Sequence, residues 1–515
     1  MKRRMKVKTK LKIALTVIGL FILSGIPTLS AQFKLPSIFT DNMVLQRNKP
    51  IHIWGWGKPK KIVEITFDGE TKTDVVKSDA SWSIYLNPRK ANTTGHLLKI
   101  RHGEEQFSLE NILIGDIWLC LGQSNMEWPL QKEMHYAGEV DKTDQRWLRF
   151  FNPTYAGKGV YNETFGDTIV RRLNADGFYQ GQWEISNPKT AMGMSAVGYY
   201  FGQAILNTIR VPVGLVNLAI GGAPLETFIS TESLYQSNTY RDKVSNNWLY
   251  NDHLPIWVRK RGTQNLAGAK SVPTDSLGPN HAYKPGFAYK VGVKPLFQLP
   301  IKGIIWYQGE SNAQEPERVN EYADLQALLA DDYRIGWKDA KMPFYWVQLS
   351  SIDTVNYDAQ LWPQFRNEQR KLLSLISHGG MAVTSDIGAK NDVHPTNKKA
   401  VGERLARWAL FNTYKRDIVP SGPLVKKVEF NRNRLMVTFE YGEGLASKDG
   451  SELRGFSLDG RNPIRAEIQD GKVIIPVQDR PEYLYYGWQA WTHANLVNSE
   501  QLPASTFRMP VTSNQ

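Results

Sequence analysis

A chain of 515 residues with 41% hydrophobic and 22% charged residues exceeds what one hydrophobic core can organise and is too apolar for a disordered protein, so two or three globular domains are expected. The formal charge of +13 is concentrated at one end: residues 1–31 carry seven Lys or Arg and no acid, so their removal leaves +6. With no later block of like charge and no nucleic-acid motif, a nucleic-acid partner is excluded. Cys120 is the single cysteine, which excludes an intramolecular disulfide, and no CxxC, HExxH or histidine cluster calls for a metal.

In chain order, the first segment is an address rather than a fold. Basic residues between Lys2 and Lys12 precede an apolar run over 13–26, which is too short to span a bilayer comfortably. Ser30-Ala31 before Gln32 is a plausible cleavage point. The expectation is a signal peptide over 1–31, an exported protein (periplasmic or secreted), and no stable membrane insertion after cleavage. An uncleaved anchor is the alternative, and the lack of a cysteine after the apolar run argues against a lipid anchor.

Residues 33–108 read as short alternating strands, over 51–57, 62–67, 81–86 and 97–100, broken by Gly, Pro and Asn. That texture predicts a small β-sandwich-like domain. From 110 to 415 apolar strand candidates at 116–121, 213–218, 303–307, 344–349 and 381–384 alternate with helical stretches at 196–208, 322–336, 361–376 and 398–414. This alternation predicts an α/β domain with a parallel sheet covered on both faces and its site at the carboxyl ends of the strands. Residues 235–285 are polar and irregular and read as a surface insertion near that site. After Pro420-Ser421-Gly422-Pro423 strand texture returns, predicting a β-rich region over 420–515 with the N-terminal β-domain as a candidate pairing partner.

Acyl transfer needs a nucleophile, a base and donors for an oxyanion, and distant segments offer all three. Ser124, in Gly122-Gln123-Ser124-Asn125-Met126, stands on a strand-to-helix turn that would expose its hydroxyl; a helix-capping serine is the plain alternative. His394, in Asn391-Asp392-Val393-His394-Pro395, sits in a loop at a helix entry and is the best base of nine histidines. Three acids compete to hold its ring: Asp392, Asp386 and Glu310. Asp392 ranks first, although side chains two apart in an extended segment stand roughly 6–7 Å apart, so a turn is required. Gly221-Gly222 would let a backbone N–H approach a ligand. Gln308 and Asn312, in Trp306-Tyr307-Gln308-Gly309-Glu310-Ser311-Asn312, are neutral amides that could donate to an oxyanion or hold their loop in shape. The 16 Trp and 22 Tyr residues add a carbohydrate partner to the list, because exposed aromatic rings stack on sugars.

These segments resemble the sialate O-acetylesterase family of SGNH-type hydrolases, related to acetylxylan esterases. Residues 122–126, 221–222, 305–312 and 392–395 carry the resemblance, with 38–46 and 195–202 outside the site. It implies a three-layer α/β/α esterase domain, flanked here by the two β-sandwich-like regions, and the removal of acetyl groups from sugars such as sialic acid or plant glycans. Ser124 would be the nucleophile and His394 the base. The amides of Ser124 and Gly222, with a side-chain amide of the Gln308 loop, would form the oxyanion hole. No metal or organic cofactor is implied. Two positions depart from the wider pattern. The superfamily's aspartate falls three residues before the histidine, which is Asn391 here, leaving Asp392, Glu310 or a Ser–His dyad as the alternatives. The segment leading to the 303–307 strand reads Tyr289-Lys290-Val291-Gly292 rather than a Tyr-Asn-Ala-Met-like sequence. The competing readings are an acetylxylan or pectin esterase, and a non-catalytic carbohydrate-binding protein.

Overall fold

Residues 112–122 contain no exposed position, and a strand buried on both faces belongs in the middle of a parallel sheet. They end β1 (Glu105–Gly122). The computed structural model describes residues 33–355 and 357–513; the targeting segment expected over 1–31 lies outside them. The central sheet adds β2 (Gln145–Phe151), β3 (Trp183–Ser186), β4 (Val213–Asn217), β5 (Gly303–Tyr307), β6 (Phe344–Gln348) and β7 (Gly379–Val383). Their spatial order is β3-β2-β4-β1-β5-β6-β7. Every neighbouring pair is parallel except β3 against β2 at the edge. The chain therefore fills one side of β1 first and the other side afterwards, which makes the carboxyl end of β1 the switch point where such sheets open a crevice.

The helices are α1 (Ser124–Glu127), α2 (Ala196–Ile209), α3 (Pro316–Trp337), α4 (Trp362–Leu375) and α5 (Lys398–Trp408). α2 packs with α5 on one face of the sheet, and α3 packs with α4 on the other. The expected helices are present with longer or shorter ends. α3 starts six residues early because Pro316 sits in its first turn, where its missing N–H costs nothing. β2 and β3 were not expected. Arg146 and Arg149 interrupt the apolar pattern of β2, yet Arg149 is buried and donates to the Arg146 carbonyl at 2.8 Å.

The chain divides into two compact units. The smaller holds residues 33–36, 53–85 and 99–108. Within it Ile62–Phe67 pairs antiparallel with Glu70–Val75 across Asp68-Gly69, both at positive φ, as a tight hairpin requires. Val63, Ile65 and Phe67 are buried. The Glu70–Val75 strand is polar and carries no alternating pattern, so the sequence alone does not disclose it.

The larger unit holds 37–52, 86–98 and 109–513. Its C-terminal β-region builds a five-stranded sheet and smaller sheets around Val428, Leu435, Val437, Val473, Ile475 and Phe507. Among the described residues these strands pair among themselves. The region is seated on the central sheet. Buried Arg366 of α4 donates to the Gly487 carbonyl at 3.2 Å, and Gln348 at the end of β6 accepts from the Thr506 N–H at 3.2 Å.

Candidate active site

β1 ends in a turn that only glycine can make. Gly122 has φ +134°, and a Cβ there would stand 2.0 Å from the Tyr307 carbonyl oxygen. The next N–H, of Gln123, donates to that same oxygen at 3.0 Å. Strand β1 thus hands directly into α1, and Ser124 becomes its first residue.

The loop after β7 supplies the partner. His394 Nε2 is 2.8 Å from Ser124 Oγ. Asn397 caps α5 by accepting the Ala400 N–H, which fixes the loop that presents the imidazole. The required turn at Asp392 is present: its Oδ1 accepts the His394 backbone N–H at 2.8 Å and lies 3.5 Å from His394 Nδ1. Trp128 stacks on the imidazole at 5.1 Å between centroids and 19° between planes. Burial and the neighbouring Lys398 cation push the His394 pKa below its ordinary 6.5, against the pull of Asp392.

The competing acids go elsewhere. Asp386 is held bidentately by Arg404 at 2.6 and 2.9 Å and also meets Lys448. Glu310 is buried and accepts from the Asn125 side chain, not from the imidazole.

The side-chain amides expected at an oxyanion are also turned inward. Gln308 donates to Gln123, Ala223 and Asn312 and accepts from Tyr322. Asn312 donates to Glu226 and accepts the Leu225 N–H. Both are fully buried and neither lines the pocket; their physical role is to hold the loops after β1, β4 and β5 together. The backbone groups remain. Ser124 and Gly222 both line the pocket, and among the described residues neither of their N–H groups has a protein acceptor. Gly222 has φ +74°, and a Cβ there would meet the Tyr283 hydroxyl at 2.4 Å. Its loop is fixed from three sides. Tyr283 donates to the Gly221 carbonyl at 2.8 Å, Tyr155 accepts the Gly221 N–H at 3.1 Å, and Ser311 donates to the Gly222 carbonyl at 3.0 Å.

Ser124 opens into a cavity of about 720 Å³, a size that holds a monosaccharide with room to spare. The 235–285 segment reaches it through Trp257, Arg261 and Tyr283. Cations Lys132, Lys158 and Arg261 line it, and Glu127, the one lining acid among the described residues, is met by Lys158 at 3.5 Å and by the Tyr155 hydroxyl at 3.1 Å. Burial raises the Glu127 pKa against these partners. Cys120, fully buried in β1, has its thiol pushed up by burial and does not face this space.

A family model described as "Carbohydrate esterase, sialic acid-specific acetylesterase" matches residues 289–410, the stretch that carries Gln308, Glu310, Asp392 and His394. The chain is 26% identical to the sialate O-acetylesterase of Homo sapiens, over 79% of this chain and 76% of that one. The protein of the same name from Rattus norvegicus is 26% identical over 81% of each. A crystal structure of a carbohydrate acetylesterase from Xanthomonas citri superposes with a TM-score of 0.76 at 29% identity, covering 93% of this chain and 99% of the other. This is a sialate O-acetylesterase-like carbohydrate esterase. It is a carboxylic ester hydrolase, on the α/β architecture expected from the strand–helix alternation.

Several residues of the esterase's pocket gave no signal in sequence. Trp128, Trp257, Arg261 and Tyr283 are ordinary loop and helix residues until the fold gathers them. Lys398, beside Lys399 at the start of α5, is completely buried.

Proposed function

We propose that the chain is an exported esterase that removes acetyl groups from O-acetylated sialic acid through an acetyl-enzyme on Ser124. The observation that carries this is the 2.8 Å approach of His394 Nε2 to Ser124 Oγ at the floor of the cavity. Neutral His394 takes the hydroxyl proton as Oγ bonds to the acetyl carbonyl carbon. The N–H groups of Ser124 and Gly222 donate to the oxyanion as it forms. His394 then returns the proton to the sugar oxygen, whose bond to the acyl carbon breaks. Water, deprotonated by His394, attacks the acetyl-enzyme, and acetate leaves as Ser124 regains its proton. Asp392 is the carboxylate on Nδ1, partly exposed and at long range.

The choice of an anionic sugar rests on charge. Lys132, Lys158 and Arg261 face the cavity, and a sialic acid carries a carboxylate that neutral acetylated xylan lacks. The relatives named sialate O-acetylesterase support the same reading. Export rests on the basic and apolar run of residues 2–26. The test is acetate release from O-acetylated sialic acid beside acetylated xylan, by enzyme recovered from the exported fraction with its N-terminal residue sequenced. Faster release from the sialate and an N-terminus at Gln32 are expected. Equal rates on xylan would overturn the sugar assignment, and a retained Met1 the export.

A further inference from the structure

The nucleophile turn and the base loop come from opposite ends of the esterase domain, 270 residues apart in the chain. A buried polar chain joins them beneath the site. Asn125, next to the nucleophile, sends one N–H of its side chain to Glu310 and the other to the Val393 carbonyl at 2.9 Å, the carbonyl just before His394. Its Oδ1 accepts from Lys398 Nζ. This orientation follows from chemistry: an ammonium can only donate and a carboxylate accepts, so the amide must turn its oxygen to Lys398 and its nitrogen to Glu310. Lys398 has no other hydrogen-bond acceptor for Nζ among the described residues, and lies instead over the Trp128 and Tyr307 rings at 5.8 and 5.4 Å. Trp128 is the ring stacked on His394. Glu310 Oε2, also buried, has no partner among the described residues.

A cation and a carboxylate, both removed from water and joined through one amide, are costly to bury unless the arrangement does something. We propose that Lys398 is a positioning residue for the esterase reaction: with Glu310 it clamps the Asn125 amide in one orientation, and so fixes the separation of Ser124 from His394. The inference rests on the Ser124–His394 reading. The groups facing this cation are Glu310, Asp392, His394 and the Tyr307 and Trp128 rings, and Lys132 also lies over the Trp128 ring. Burial pulls the Lys398 pKa down from 10.5 to about 7, and its cation in turn helps hold the His394 imidazole below its ordinary 6.5.

The test begins with the wild-type esterase and a serine-directed aryl phosphonate. Labelling of Ser124 verifies the nucleophile on its own; no labelling would remove the reading beneath the inference rather than the inference. Lys398→Met and the charge-balanced Lys398→Met/Glu310→Gln are then compared on an aryl acetate. The double variant leaves no lone buried charge, so it keeps the test open if the single variant does not fold. A positioning role predicts kcat and phosphonylation of the double variant lower by about 10²-fold, with KM within roughly threefold, since misplaced reacting groups cost rate rather than binding. It also predicts that the acid limb of kcat/KM moves to higher pH once the cation is gone. A folded double variant with wild-type kcat and an unmoved acid limb would show that the two charges merely balance each other, and the inference would fall.

Discussion

Ser124 and His394 meet at 2.8 Å, but the carboxylate behind the imidazole is 55% exposed and 3.5 Å from Nδ1. This asymmetry sets different expectations for the three side chains. Ser124→Ala removes the hydroxyl in reach of the base and should lower kcat on an aryl acetate by at least roughly 10⁴-fold. Asp392→Asn should cost only on the order of tenfold, well short of the roughly 10⁴-fold seen when a buried triad aspartate is lost. Steady-state kinetics of the two variants checks both. The pH dependence follows from His394. Only the neutral ring can accept the serine proton, so activity falls as pH drops through the folded-state pKa. Burial and Lys398 hold that pKa below 6.5, so kcat/KM should retain half its plateau at a pH below 6.5. A half-maximum above 6.5 would mean that Asp392 outweighs burial.

At the scale of elements, the site is made by how strands end. Gly122 and Gly222 each combine a positive φ with a close approach that leaves no room for a Cβ. Gly122→Ala would combine a disfavoured φ with a Cβ 2.0 Å from a carbonyl oxygen; a loss of several kcal/mol, at least about 3, is expected by chemical denaturation, together with activity. Asn397→Ala removes the cap of α5 and should cost about 1 kcal/mol. Sequence alone discloses β1, β4, β5, β6 and β7 because strands buried on both faces are continuous apolar runs. It does not disclose β2, with its two arginines, or the 70–75 strand, because an exposed polar strand has no pattern until its partner is in place. The same limit explains the inward turn of Gln308 and Asn312. Their chemistry suits an oxyanion as well as a scaffold, and only the positions of Gln123, Glu226 and Tyr322 decide between the two. Glu310 and Lys398 could be read as charges but not as partners, since their link runs through an amide from a third segment.

For the whole molecule, the expected preference is a matter of charge at the cavity. Arg261 stands on the Ile256–Leu266 helix and donates to the Tyr161 carbonyl and the Asn162 side chain, keeping its head beside the pocket. Arg261→Gln should raise KM for O-acetylated sialic acid by about tenfold, the weight of one charge-assisted hydrogen bond, and leave KM for a neutral aryl acetate unchanged. An equal rise for both substrates would mean that Arg261 only holds the 161–162 loop. The chemistry itself is tested most directly by stopping turnover of an acetyl ester with acid and mapping the trapped protein by peptide mass spectrometry. The account predicts an acetyl group on the peptide that carries Ser124, formed at the rate of turnover and absent from Ser124→Ala. Full turnover with acetyl never found on Ser124, or found on another residue, would contradict it.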